Sequence, residues 1–193
     1  ITLTSPQGLV RRELQDNQQT WIQLGADIDG EDILDLAGSS VDMSSDGTVL
    51  AVGAAANGDG RVGYVRVFKY ANNVWTQLGS NIYGEAFFDG VGEKVSLSSD
   101  GTTVAVGAPY YDAECYNCER TGRVRVYKYT NSVWTQVGAD FNGDSKGAHF
   151  FGQSIDLSGD GTVLAALAGG EGGYVRVFKY ANNAWTQRGT DIV

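Results

Sequence analysis

The chain has 193 residues, 42% of them hydrophobic and 19% charged, so it is long enough to bury a sizeable core. Its 27 glycines and 2 prolines are typical of many short strands joined by tight turns, and exclude a collagen-like or linker sequence. A formal net charge of −9 without a stripe of lysines and arginines excludes a nucleic-acid partner, and no apolar run approaches the ~18 residues of a membrane span.

The first predicted elements occupy residues 1–28 and form an incomplete repeat. The segment GLVRRELQDNQQTWIQLGADI (8–28) matches the third and fourth strands of the units that follow, with one extra residue before Trp21. The segment ITLTS (1–5) is interpreted as a degenerate copy of the second strand. We therefore expect half a unit at this end.

The next four predicted strands form a complete unit. SSVDMSS (39–45) alternates apolar and small polar residues, which is the period-2 pattern of a strand. The Asp-Gly pair at 46–47 predicts a hairpin, because both residues tolerate a positive φ. The remaining predicted strands are TVLAVGA (48–54), GYVRVFKY (63–70) and VWTQLGSNI (74–82).

The same unit recurs twice more along the chain. Its first strand returns as EKVSLSS (93–99) and QSIDLSG (153–159), each followed by Asp-Gly. The tryptophans 21, 75, 134 and 185 are spaced by 54, 59 and 51 residues, a period that indicates a repeat architecture.

An antiparallel meander with two apolar faces can bury both only by stacking on its neighbours, so the predicted fold is an all-β propeller of four-stranded antiparallel blades. Residues 1–193 are predicted to form a single propeller or propeller segment, with a half blade at 1–28 and full blades at 38–82, 92–141 and 152–192. Three and a half blades are fewer than the ~4 to 8 blades of a closed propeller, so the apolar faces of the first and last blades stay open. We expect a longer native chain, a protein partner or self-association to cover these faces.

Three short segments resemble the FG-GAP repeat of integrin α-type propellers. They are Phe151-Gly152, VAVGAP (104–109) and GRVRVYKY (122–129). The resemblance implies an extracellular propeller that serves protein contact or adhesion. The calcium loops of that family do not carry over, because each hairpin here holds one aspartate and calcium needs ~6 to 8 oxygens. No metal and no other cofactor is predicted.

The loops predicted to share one propeller face carry nearly all the variation between repeats, which is typical of a binding surface on a rigid scaffold. These loops are acidic and partly aromatic, and Tyr110 and Tyr111 in them suggest stacking on a sugar. The alternative is that the charged loops are merely solvated. The predicted binding residues are Asp29, Glu31, Asp32, Asp35, Asp59, Glu85, Tyr110, Tyr111, Asp112 and Tyr116.

Two recurring side chains are predicted to be structural. The tryptophan of each unit stands at one position of an outer strand, as packing between blades requires. The arginine of each VRV segment (Arg66, Arg125, Arg176) is expected to stack on a nearby aromatic ring and to pair with an acid such as Asp140 or Asp191.

The two cysteines, Cys115 and Cys118, form a lone CxxC in a loop. A local disulfide is the favoured interpretation, with a zinc site or a redox pair as alternatives. A disulfide would indicate an oxidising compartment, and we expect an extracellular, secreted or lumenal location. Because the sequence lacks an initiator methionine and a signal peptide, we expect a processed product or part of a longer protein.

The predicted function is a non-catalytic module for protein–protein interaction or adhesion. The alternatives are a carbohydrate-binding module and a structural subunit of a larger assembly, and a glycan is a further possible partner. An enzyme is not expected, since the chain has one histidine and no nucleophile elbow or phosphate loop, although a glycosidase-like carboxylate pair stays open.

Overall fold

The computed structural model of the protein describes residues 21–55, 62–85, 88–112, 120–144 and 150–193. Their 14 strands form three antiparallel sheets, and no helix occurs in these ranges, so the prediction of an antiparallel all-β chain is confirmed. The described residues accordingly provide no helix able to cross a membrane.

The first sheet follows the chain order of the first predicted unit. Its strands are β1 (Ala37–Met43), β2 (Val49–Ala54), β3 (Tyr64–Ala71), β4 (Val74–Gln77) and β5 (Ile82–Tyr83). Strands β1 to β4 pair in sequence, and β5 pairs with the other end of β3.

The second sheet repeats this arrangement. Its strands are β6 (Lys94–Leu97), β7 (Thr103–Ala108), β8 (Arg123–Thr130), β9 (Val133–Gln136) and β10 (Phe141–Asn142). Both β9 and β10 pair with β8, as β4 and β5 do with β3.

The third sheet has four strands. They are β11 (Ser154–Leu157), β12 (Val163–Ala168), β13 (Tyr174–Ala181) and β14 (Ala184–Gln187). They pair in chain order, and every neighbouring pair is antiparallel.

The predicted Asp-Gly hairpins exist, but they are longer than a two-residue turn. Asp46 accepts hydrogen bonds from the Ser44 hydroxyl (2.7 Å) and from the amide and hydroxyl of Thr48 (both 2.9 Å), so its side chain closes the loop. The tight two-residue turns lie elsewhere, at Asn72-Asn73 and its repeats, where both residues have φ between 51° and 67°. Asparagine tolerates this left-handed conformation, which the twist of a hairpin favours.

The predicted fourth strand of each unit is interrupted. Gly79 adopts φ 68°, a conformation that a strand does not contain, and the chain resumes pairing only at Ile82. This glycine has a packing reason, because a Cβ there would lie 3.1 Å from Cδ1 of Trp134.

Two apolar cores fill the spaces between successive sheets. The first lies between sheets one and two and contains Val65, Val67 and Val104, all at most 1% exposed. The second lies between sheets two and three and contains Val126 and Leu164, also at most 1% exposed. Alternation along each strand gives the second sheet one apolar side for each core.

Hydrogen bonds also join successive sheets. The amide of Leu97 donates to Asp42 of the first sheet (2.6 Å), and the amide of Leu157 donates in the same way to Ser96 of the second (3.0 Å). Because these residues lie on β1, β6 and β11, the first strands of the sheets contact one another.

Candidate functional site

The arginine of each VRV segment lies on the third strand of its sheet. Arg125 and Arg176 form ion pairs with Asp140 (2.8 Å) and Asp191 (3.0 Å), which confirms the predicted pairing in two sheets. Each also contacts an acid from the loop before its sheet: Glu85 for Arg125 and Asp144 for Arg176, both at 2.8 Å.

The first sheet departs from this pattern. Asn81 occupies the place of Asp140 and Asp191, and Arg66 instead stacks on Tyr64 and Phe68, as predicted for Phe68, with distances to the ring centroids of 5.5 and 5.3 Å. Arg66 is 9% exposed, and no described residue accepts a hydrogen bond from its Nε.

The second sheet departs from the repeat more strongly. Arg123 pairs with Ala108 in the sheet, the register position that Tyr64 and Tyr174 occupy in the other two sheets. Those tyrosine hydroxyls accept hydrogen bonds from the backbone of the preceding loop, whereas Arg123 brings a second positive charge. The fold does not require an arginine here, since the other two sheets form with a tyrosine. The exchange therefore marks the surroundings of Arg123 as a candidate functional site.

Three carboxylates surround this second arginine. Arg123 Nη1 lies 3.1 Å from Glu85 and 3.0 Å from Asp140, and its Nη2 lies 3.7 Å from Asp89. The Tyr111 ring stacks on the guanidinium at 3.6 Å. Arg123 is only 2% exposed, so its charge is stabilised by these neighbours rather than by water.

Two acids of this cluster, Asp140 and Glu85, are ionised at neutral pH. Burial raises the pKa of Asp140, but hydrogen bonds from Arg125 and Gln136 outweigh burial and leave that pKa below its usual range. The hydrogen bond from Arg125 is the largest effect on Glu85 and lowers its pKa as well. Although burial opposes the charge of Arg125, hydrogen bonds to Asp140 and Glu85 raise its pKa further.

An open cleft of about 310 Å³ adjoins this cluster between the first and second sheets. Its volume falls at the lower end of the ~300 to 1,000 Å³ that small-molecule sites occupy. We call it the charged cleft, and its lining residues are Ser80, Asn81, Ile82, Tyr83, Glu85, Arg125, Tyr127, Ser132, Val133, Trp134 and Gln136.

The charged cleft offers polar groups of both kinds together with aromatic rings. The Glu85 side chain is 60% exposed, so it remains open to water although it contacts both arginines. The Tyr83 hydroxyl accepts a hydrogen bond from the Asn81 amide (2.9 Å), which leaves its own proton free to donate. Burial raises the pKa of Tyr127, so that hydroxyl also keeps its proton. This lining suits a small hydroxylated molecule.

Four of the predicted binding residues lie in the loop before the first sheet. Asp29, Glu31 and Asp32 are exposed, and Glu31 accepts a hydrogen bond from Asn81 at 2.8 Å. Asp35 is 5% exposed and accepts hydrogen bonds from the Tyr64 hydroxyl and from the amides of Glu31 and Asp32, so it orders the loop from inside.

Four other predicted binding residues lie around the second sheet. Glu85 is the predicted residue that lines the charged cleft. Tyr110 and Tyr111 are half-buried, and each carries an arginine on its ring, Arg120 at 5.1 Å and Arg123 at 3.6 Å. Asp112 is half-buried as well.

The remaining predicted residues lie outside the described ranges. They are Asp59, Tyr116 and the disulfide candidates Cys115 and Cys118. The disulfide and the extracellular or lumenal location therefore stay predictions. Within the described ranges, no group of three or more His, Cys, Asp or Glu side chains could hold a metal ion.

Sequence reasoning missed Arg123 as a member of a site. The signal was present in the third strands, where GRVRVYKY replaces GYVRVFKY. A tyrosine exchanged for an arginine at a core-facing repeat position brings a charge that its neighbours must stabilise.

Comparisons with known proteins give a fold but no family. No family model matches the chain, and no curated protein does. A candidate 6-phosphogluconolactonase from Bacteroides uniformis is similar in structure, with a TM-score of 0.55 and 16% identity over 80% of this chain. One from Bacteroides fragilis has a TM-score of 0.52 and 18% identity over 79% of this chain. A chain from a structural study of two prolyl endopeptidases has a TM-score of 0.50 and 16% identity over 77% of this chain.

The chain spans only part of each of these structures. It covers 40% and 38% of the two lactonase candidates and 21% of the prolyl endopeptidase chain. At such identities the similarity establishes a shared fold.

These comparisons overturn three predictions. The FG-GAP resemblance is wrong, because no such family model matches and the similar structures are lactonase candidates. The non-catalytic module for protein interaction or adhesion is wrong, with its lectin-like and structural-subunit alternatives, because these similar structures carry the names of enzymes. For the same reason the exclusion of an enzyme is wrong. The short FG-GAP matches reflect what any tightly packed β-repeat needs, namely glycines and alternating small apolar residues.

Proposed function

We propose that this chain is part of a β-propeller hydrolase that opens cyclic sugar esters (lactones), with the charged cleft as the substrate site. The observation that carries the proposal is the exposed, ionised Glu85 beside Arg125 in that cleft. The names of the similar structures supply the substrate class.

The propeller part of the proposal treats the three sheets as consecutive blades of one unit that spans residues 1–193. Two features support it. The first strands β1, β6 and β11 contact one another, as inner strands around an axis do. The similar solved structures are β-propeller-like.

The reaction requires a base for water and donors for the carbonyl oxygen. Water adds to the lactone carbonyl carbon and gives one proton to Glu85, and the tetrahedral intermediate then loses its ring C–O bond. The ring oxygen takes that proton from Glu85 as it leaves, so lactone and water yield a hydroxy acid and Glu85 returns to its ionised form. The Arg125 guanidinium and the Tyr83 hydroxyl are the donors for the negative oxygen. The lowered pKa of Glu85 makes it a weak base, which suits an ester as reactive as a lactone.

The aromatic and amide side chains of the charged cleft provide the binding. Trp134 and Tyr127 present rings on which a sugar can stack. The amide nitrogens of Gln136 and Asn81 already donate within the protein, so these side chains offer their amide oxygens to the sugar hydroxyls. Substrate carboxylates and phosphates have to compete with Glu85 and Asp140 for the arginines, so neutral lactones are the preferred substrates.

The test is the rate of lactone opening by the purified chain above the spontaneous rate. We expect Glu85→Gln to lower this rate at least ~10-fold, because an amide cannot accept the proton. The matched control is Asp144→Asn, which removes the equivalent acid beside Arg176, outside the charged cleft, and is expected to retain the rate. A wild-type rate equal to the spontaneous one, or equal losses in both variants, contradicts the proposal.

A further inference from the structure

Each tryptophan of the three sheets enters a small site on the element that precedes its sheet. The indole N–H of Trp134 donates to the carbonyl of Leu78 (2.8 Å), and that of Trp185 donates to Val137 (3.0 Å). The residue after each carbonyl is a glycine that packs against the indole. We call the carbonyl and its following glycine a Trp socket.

Each socket has room for the indole because its second residue is a glycine, which has no side chain. A Cβ on Gly79 or Gly138 would lie 3.1 or 2.7 Å from Cδ1 of the inserted indole. The same holds at Gly25, where the distance to Trp75 would be 2.8 Å, and Trp75 donates to the carbonyl of Leu24 at 2.8 Å. Three sockets therefore hold three tryptophans.

One tryptophan and one socket remain. Trp21 is 101% exposed, so its ring contacts no described socket. At the other end, Gly189 has φ 73° like the socket glycines, but a Cβ on it would meet nothing within 4 Å. The fourth socket, made by Arg188 and Gly189, is formed, and none of the residues that the structure describes fills it.

The sheet that carries this socket also has an open apolar face. Val175 and Val177 of β13 are partly exposed, whereas their counterparts Val124 and Val126 on β8 are at most 1% exposed under the third sheet. Ile192 beside them is 61% exposed. This exposed face of the third sheet thus carries the same kinds of apolar side chain as the face of the second sheet that is buried inside the molecule.

We propose that this face binds a second copy of the chain, head to tail, with Trp21 of one copy in the Arg188-Gly189 socket of the other. The proposed contact repeats three tryptophan–socket contacts that the molecule already makes internally. The interface is heterologous, because a tryptophan on one copy meets a socket on the other, so copies join into a ring or a chain of copies. This inference is independent of the proposed hydrolase activity.

Sedimentation velocity of the purified chain over roughly a hundredfold concentration range tests it. We expect the wild type to associate with rising concentration. Trp21→Ala removes the inserted ring from a fully exposed position, and Ile192→Glu places a charge on the socket face, so each variant alone is expected to stay monomeric. The control Val133→Glu changes a similarly exposed side chain (57%) at the start of β9, outside this face, and is expected to associate like the wild type.

Mixing the two defective variants distinguishes head-to-tail contact from other kinds of self-association. Trp21→Ala still has an intact socket face, and Ile192→Glu still has its tryptophan, so an equimolar mixture is expected to form a dimer. Circular dichroism spectra identical to that of the wild type establish that both variants are folded. A wild type that is monomeric throughout, a Trp21→Ala variant that associates like the wild type, or a mixture that stays monomeric overturns the proposal.

Discussion

Arg125 and Asp140 form a two-pronged ion pair, with Nε 2.8 Å from Oδ1 and Nη2 2.8 Å from Oδ2. The equivalent pair recurs as Arg176 and Asp191 in the third sheet and is broken in the first, where Asn81 stands. The three sheets can therefore be compared directly, because the position after the fourth strand holds a carboxylate in two of them and an amide in the first.

Asn81→Asp, made in a Glu31→Gln background so that the new carboxylate does not face the Glu31 carboxylate, is expected to stabilise the protein by about 1 kcal/mol relative to Glu31→Gln alone, because the new carboxylate can accept from the buried Nε of Arg66. Urea unfolding at neutral pH measures the change. Asn81→Ala in the same background is the control and is expected to be no more stable than Glu31→Gln alone. A loss of stability in Asn81→Asp would show that Arg66 does not need the acid that its counterparts have.

Gly138→Ala is expected to destabilise the fold by about 2 to 4 kcal/mol. The new Cβ would lie 2.7 Å from Trp185 Cδ1, and alanine is strained at φ 85°. Gly189→Ala shares the positive φ but meets nothing within 4 Å, so it is expected to cost about 1 kcal/mol. Thermal or urea unfolding in dilute solution compares the two. Equal losses would mean that the indole contact at Gly138 contributes nothing.

Asp35 is expected to contribute stability that is lost in acid. Burial raises its pKa, but hydrogen bonds from Tyr64 and three backbone amides outweigh burial and lower the pKa to about 2. Because the folded pKa lies below the unfolded value near 3.9, this stability is complete above about pH 5 and is lost as the pH falls through 2.

The measurement is the free energy of unfolding of the wild type and of Asp35→Asn between about pH 6 and pH 2. The difference is expected to shrink by about 2 kcal/mol toward the acid end. A difference that does not change with pH would exclude an ionised Asp35 in the native state.

Tyr64 is expected to give the opposite dependence in alkali. Burial and its hydrogen bond to Asp35 raise the pKa of this tyrosine from 10.0 to about 12. A raised folded pKa stabilises the native state below the unfolded value of 10, and this stability is lost as the pH rises through 12. The advantage of the wild type over Tyr64→Phe should therefore fall by about 1 to 2 kcal/mol between pH 10 and 12. If both proteins follow the same curve, the Tyr64 hydroxyl is not held protonated.

The sequence was sufficient for the first three strands of each sheet and their pairing, because the same residue pattern occurs in three repeats. Alternation in segments such as VRVFKY places valines on one side and arginine with the aromatic ring on the other, so the ion pairs at Asp140 and Asp191 followed from it. The position of the tight turns did not follow. Asp-Gly is the stronger general signal, but the Asp46 side chain closes a longer loop and the asparagine pair makes the two-residue turn.

The candidate site was less accessible to sequence reasoning. Glu85 was included among the loop acids, but Arg123 was absent, since a cluster of three carboxylates around two arginines depends on how neighbouring sheets pack. Tyr110 and Tyr111 suggested stacking on a sugar as one of several possibilities, whereas in the structure an arginine lies over each ring. Loop composition alone does not tell which aromatic faces remain free.

The central claim is that the charged cleft between the first two sheets binds a sugar-derived molecule. The most direct measurement is amide NMR of the labelled chain titrated with an aldonolactam, a neutral analogue of the lactone that resists ring opening. We expect shifts at Ser80, Tyr83, Arg125 and Gln136, which line the cleft, and none at Ala139, Arg176 and Gln187 in the equivalent second interface. Absent shifts, or shifts of equal size at both interfaces, would contradict the claim.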